Sequence, residues 1–248
     1  YLTDSSLQYI ETGIKALTDE SVRLLENAAY KVFVHGLGVH RHELETAESI
    51  EALLNTTPQT VSIDIDAIYD TKIKTIYSKI LDYATQLQKK TKPDQKQIEA
   101  IRNILVADRL LVQVVKRMKP LQENLRHYLE SDNEVLRREY NILRRRILKV
   151  VREIKRIGPP DQLEEHLEKI MRQSSKVKQM DVLLTGHVED LLASGDITDK
   201  MASSLINDSS NAARITSNLI DIALILFKPE DELINNIDET NAEKYYAS

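Results

Sequence analysis

The chain has 248 residues, of which 42% are apolar and 29% charged, and its formal net charge is −5. That length and apolar share suffice for one large core or two helical lobes, while the acidic balance excludes a general nucleic-acid binder. With no cysteine, no tryptophan and only six glycines and six prolines, disulfides, thiolate metal sites and a cysteine nucleophile are excluded, and long helices are favoured over a turn-rich β fold.

No window reaches the roughly 18 continuous apolar residues that a bilayer span requires. The best run, Leu219 to Phe227, contains Asp221 and is about half that length. No signal peptide opens the chain, and its start at Tyr1 rather than Met leads us to expect a piece of something longer.

Apolar residues keep helical spacing from about Ser5 to Leu37, through Leu7, Ile10, Ile14, Leu17, Leu24, Leu25, Val32 and Phe33. Thr3 or Asp4 is placed to cap this first helix, and Gly36 and Gly38 to stop it. A short helix is predicted from about Leu44 to Leu54, before a loop at Asn55-Thr56-Thr57-Pro58. The next pattern runs from about Ile63 to Gln88. Its opening, VSIDIDAI, also alternates as a strand would, but the helical period continues much further and prevails.

Lys92-Pro93-Asp94 breaks the chain, and a third long helix is predicted from Asp94 to Leu129 with a kink at Pro120. Ser131 with Glu134 reads as a capping box opening a helix that runs to Ile157. Gly158-Pro159-Pro160 is the strongest break. A fifth helix is expected from about Asp161 to Ser194, ended by Gly195-Asp196, and a sixth from Thr198 to Phe227. Residues 229–248 form an acidic tail expected to fray. Helices of this length argue for bundles, and the breaks sort them into two sets of three, residues 1–130 and 131–228.

Four stretches are similar to the soluble, PhoU-like region of sodium/phosphate cotransporters: YLTDSSLQYIE, AAYKVFVHGLGVHRHEL, RMKPLQENLRHYLES and SLINDSSNAARITSNLIDIA. The resemblance covers essentially the whole chain. It implies an all-α fold of two side-by-side three-helix bundles. It also implies divalent metal sites built on E/D-x-x-x-D pairs, since carboxylates at i and i+4 share one helical face. Asp66-x-x-x-Asp70 has that spacing, and Asp108 stands where the third helix of the first unit would add a partner. A second reading of Asp66 and Asp70 is that they oppose the helix dipole in a first turn. The second unit departs from the motif, with Ala213 and Ser217 around Arg214-Ile215 where the family has acids.

Two further clusters stand out. His35, His40 and His42 gather in HGLGVHRH, either to hold a metal or to secure a helix end. Arg137, Arg138, Arg144, Arg145, Arg146, Lys149 and Arg152 crowd one helix, either as a solvated face paired with neighbouring acids or as a patch for an anionic ligand or membrane surface. No motif for catalysis, nucleotide binding or nucleic-acid recognition is present.

The resemblance thus implies a non-catalytic regulatory domain at the cytoplasmic face of the bacterial inner membrane. It would act on the transmembrane part of a phosphate transporter, in the same or a separate chain. A free-standing PhoU-like phosphate-signalling regulator, a metal-dependent enzyme using Asp66 and Asp70, and a structural module that forms a homodimer remain alternatives.

Overall fold

A computed structural model describes residues 1–46, 49–56, 63–157, 162–177, 181–183 and 185–228, and among these the chain is all-helical with no strand. After a 3-10 turn at Ser5–Leu7, α1 (Ile10–Ala28) continues into a π-helical stretch, Ala29–Val34. Two short helices follow, α2 (Arg41–Leu44) and α3 (Ile50–Thr56), in place of the single one expected at 44–54. The one-turn α4 (Ile65–Ile68) runs through a π-helical stretch, Tyr69–Ile73, into α5 (Lys74–Thr91). The long helices α6 (Gln95–Leu129) and α7 (Glu134–Arg156) come next. Then follow α8 (Leu163–Ser174), α9 (His187–Ala193) and α10 (Asp199–Phe227). The expected acidic tail, 229–248, and the break at 158–160 lie outside the described residues.

Local chemistry accounts for the boundaries. Lys92 takes a left-handed conformation that ends α5. Two residues on, Asp94 Oδ1 accepts from Gln97 N at 2.8 Å while Gln97 Oε1 accepts from Asp94 N at 3.0 Å, a reciprocal cap that starts α6. Helix α6 continues unbroken through Pro120, which is exposed. The cap predicted at Ser131 is corrected: Asn133 caps α7 by accepting from Leu136 N at 2.9 Å, and Ser131 Oγ accepts from Asn133 N instead. The expected fifth helix is also corrected. Helices α8 and α9 are separate, and Gly186 at φ 75° stands just before α9, in a conformation that glycine adopts at little cost.

Helix α6 is the axis of the molecule. Paired contacts Glu11 with Gln97 and Ser21 with Asp108 set α1 alongside it in the same direction. Asn124 with Asp208 and Tyr128 with Ser204 set α10 against it in the opposite direction. Helices α5 and α7 complete the flanks. Ile101, Val114, Val115, Met118, Leu121 and Leu125 of α6 are fully buried and join residues of α1, α5, α7 and α10 in one continuous apolar core. Burial of this kind is worth about 1.5–3 kcal/mol per large aliphatic side chain.

Candidate functional site

The acids singled out for metal do not converge. Asp66 sits in the first turn of α4, exposed, with its carboxylate taken by Lys119 of α6, whose ammonium is thereby held above its usual range. Asp70 is paired with Lys74 one turn on, at 3.7 Å. Asp108 lies inside the bundle at 1% exposure, where Ser21 Oγ donates to its Oδ2 at 2.8 Å. A cation shared by the three would have to displace two lysines and reach a carboxylate sealed in the core, so the residues do not fit the implied metal. Among the described residues no group of three or more His, Asp or Glu side chains is placed to hold a metal ion. His35, His40 and His42 do come together, with ring centroids 6.1 and 5.8 Å apart. The backbone N of His40 donates to Glu43 Oε2 at the start of α2.

The basic helix is dispersed rather than presented as a patch. Arg144 is wholly buried; its Nε and NH2 both donate to the Leu37 carbonyl, at 2.9 and 2.7 Å, and its NH1 to Asn141 Oδ1 at 2.7 Å. Burial lowers its guanidinium to about 10, still charged at neutral pH. It clasps the turn after α1, where helix-end carbonyls lack intrahelical partners. Arg152 is also buried, Arg145 pairs with Glu51 at 2.9 Å, and Arg137 donates to the Ser131 carbonyl. Arg146 is half-buried, and burial lowers its guanidinium too. Of the set, Arg138 and Lys149 stand exposed. The reason is the period: so many cations on a 23-residue helix cannot share one face, and some must enter the core.

Two separate buried polar clusters line α6 instead. On the α1 side stands Asp108. Burial pushes its carboxyl up to about 7, Ser21 pulls it partly back, and its Oδ1 has no hydrogen-bond partner. The same carboxyl raises the neighbouring Tyr77, already raised by burial. On the α10 side stands Asp208, again 1% exposed. Tyr140 OH of α7 and Asn124 Nδ2 of α6 both donate to its Oδ2, at 2.6 and 2.9 Å. Burial lifts this carboxyl to about 6 against those two donors. Burial and the adjacent carboxylate push Tyr140 far up, so the phenol keeps its proton and donates.

Tyr140 stacks on Tyr128 at 4.8 Å, and Tyr128 OH donates to Ser204 Oγ at 3.0 Å. Further along, Arg117 NH1 donates to Asn211 Oδ1 at 3.3 Å. Three bonds therefore ladder α6 to α10. Buried polar networks of this kind fix one register between helices. Chemically the two clusters can each hold and release a proton on a sealed carboxyl. Also along α6, Ile63, Asp64, Asp66, Lys119, Gln122 and Arg126 line a cleft of about 300 Å³ whose charges are mixed.

The spacing places Asp108 on the third long helix, as found, but its partner is Ser21 rather than Asp66 and Asp70. A signal was available for Asp108, an acid in the apolar run RNILVADRLLV, whereas Asp208 has polar neighbours on both sides. Two acids of α7 past its first turn are engaged by histidines. Glu139 pairs with His187 of α9 at 3.1 Å, and Glu153 with His166 of α8 at 3.0 Å. No family model, curated protein or solved structure matches this chain.

Proposed function

We propose that this chain is a non-catalytic, PhoU-like regulatory domain of a sodium-dependent phosphate transport system. In this reading it sits at the cytoplasmic face of the bacterial inner membrane and acts by docking on the membrane part of the transporter. The phosphate context rests on the resemblance of four sequence stretches. The observation that supports it is that the resemblance-bearing residues touch one another. Arg117, Asn124 and Tyr128 come from RMKPLQENLRHYLES, and their partners Asn211, Asp208 and Ser204 from SLINDSSNAARITSNLIDIA. Residues in mutual contact form an architectural unit, which generic helix patterns scattered over a chain do not. The turn of AAYKVFVHGLGVHRHEL is likewise fastened, through the Leu37 carbonyl, to Arg144.

The docking role is supported by what the surface leaves over. The buried acids are committed inside the bundle, whereas Arg138 and Lys149 project from α7. Cations near an anionic membrane contribute about 1 kcal/mol each, enough to orient a domain already held by a partner. The test is phosphate uptake in cells carrying the natural gene with Arg138→Glu and Lys149→Glu together. Uptake altered several-fold with normal protein levels is the expected result. Unchanged uptake would instead favour a structural dimerisation module.

A further inference from the structure

Helices α6 and α10 run antiparallel in step, four residues for four, through the bonds of Tyr128 to Ser204 and of Asn124 to Asp208. Carried on along both helices, that step sets Arg214 of α10 against Met118, beside Arg117. Asn211, one turn before Arg214, accepts from Arg117 NH1 at 3.3 Å and holds the guanidinium at this place. Two cations are therefore neighbours across the helix pair, Arg117 half-buried and Arg214 exposed.

Their surroundings supply no counter-charge. One turn to either side, Arg117 has Gln113, Val114, Pro120 and Leu121, and Arg214 has Ser210, Asn211, Ser217 and Asn218. Among the described residues neither guanidinium forms an ion pair with a carboxylate. Of the acids further along the two helices, Glu123 acts on Lys119, and Asp208 is taken by Tyr140 and Asn124. Asp221 stands two turns past Arg214, about 10 Å along the axis. Burial lowers the Arg117 guanidinium, and the like charge of Arg214 lowers it further, so the pair is repulsive as it stands.

We propose that Arg117 and Arg214 form a site for a tetrahedral oxyanion of the phosphate class, either the free ion or a terminal phosphate carried on a lipid. Each guanidinium is a planar fork of N–H donors. A phosphate turns oxygens in several directions and carries close to two negative charges near neutrality, so it meets both forks at once. A carboxylate offers one plane and one charge, which a single arginine satisfies. Asn211 has given its oxygen to Arg117 and keeps its amide hydrogens as a neutral donor beside the pair. An anion bound here replaces the repulsion between α6 and α10 with a bridge, so occupancy tightens that helix pair. The inference stands on the two guanidiniums and is independent of the transport reading.

The experiment titrates inorganic phosphate into the full chain at constant ionic strength, following the Nε–Hε NMR signals of Arg117 and Arg214, with sodium chloride as the control. The comparison is Arg214→Gln, a change at an exposed position whose intact bundle is confirmed by unchanged helical circular dichroism. The expected result is a saturable shift of both arginine signals and a melting temperature that rises with phosphate. In Arg214→Gln the binding weakens by roughly tenfold or more, the loss of one charge-assisted contact. A shift that grows without saturating, that chloride reproduces, or that Arg214→Gln leaves unchanged overturns the proposal. Phosphatidylcholine vesicles with and without phosphatidic acid separate the two sources. Sedimentation with the phosphatidic acid vesicles alone, abolished by Arg214→Gln, places the phosphate on a lipid. Saturable phosphate binding without sedimentation makes the ligand the free ion.

Discussion

Two carboxyl groups are sealed against opposite sides of α6, Asp108 beside Ser21 and Asp208 beside Tyr140 and Asn124, and burial raises them to about 7 and about 6. In the unfolded chain an aspartate titrates near 3.9. The folded state therefore binds more protons than the unfolded one between these values. The stabilisation is complete below about pH 4 and is lost as pH rises through about 6 and then about 7. Each group accounts for on the order of 3–4 kcal/mol across that window. Asp108→Asn removes one of the two titrations. Thermal melts should show the variant more stable than the parent above about pH 8, level with it near pH 4, and with a flatter slope between. A parent whose melting temperature is constant from about pH 5 to pH 8 would refute this account. Which acids were buried was the part of the site least legible in the sequence. Asp66-x-x-x-Asp70 had a recognisable spacing and turned out exposed and lysine-paired. Asp108 and Asp208 had none, and they gained their character from helices distant in the chain.

At the scale of the elements, Gly13 of α1 packs directly against Leu87 of α5. A Cβ built there would stand 2.2 and 2.8 Å from the two methyl carbons of Leu87, a fully buried side chain near the end of α5. Absence of a side chain is what lets these helices touch. Gly13→Val gains helix propensity but overpacks this contact, and overpacking typically costs about 1–3 kcal/mol. Urea titration should show a lower midpoint with an unchanged slope. A midpoint equal to or above the parent's would mean that α5 shifts away freely. The helices themselves were largely legible. The Lys92-Pro93-Asp94 break, the start of α10 at Thr198 and its end at Phe227 all follow from caps and breakers that act within a few residues. The failures have a physical cause as well. Gly186 precedes α9 in a left-handed conformation, yet apolar residues flank it on both sides and mask the break. Asn133 took the cap from Ser131 because the side chain two residues nearer the helix reaches Leu136 N. The π-helical stretches at Ala29–Val34 and Tyr69–Ile73 leave no trace in a 3.6-residue period.

Over the whole molecule, α6 joins one set of helices to the other, and no period within a single helix announces such a partnership. The connection from α7 to α10 is attached differently. Helices α8 and α9 are short, and each meets α7 through a histidine on one of its acids, His166 on Glu153 and His187 on Glu139. The two acids are fourteen residues apart, about four turns or 21 Å along the axis, so the pairs fasten the connection at two distant points. Of the two, His166 is the buried one. Its loss leaves Glu153 with Arg156 alone, at 3.4 Å on the exposed side. Leu167 and Ile170 are the apolar residues of α8 buried deepest, a small anchor beside the core carried by α6 and α10. Regions with few buried contacts open without global unfolding. His166→Ala should therefore speed amide exchange across α8, by roughly tenfold for a loss of about 1.4 kcal/mol, while α6 and α10 keep their protection. Exchange that rose equally in all three helices would show α8 to be an integral part of one cooperative core. Unaltered exchange in α8 would show that Leu167 and Ile170 hold it without the histidine.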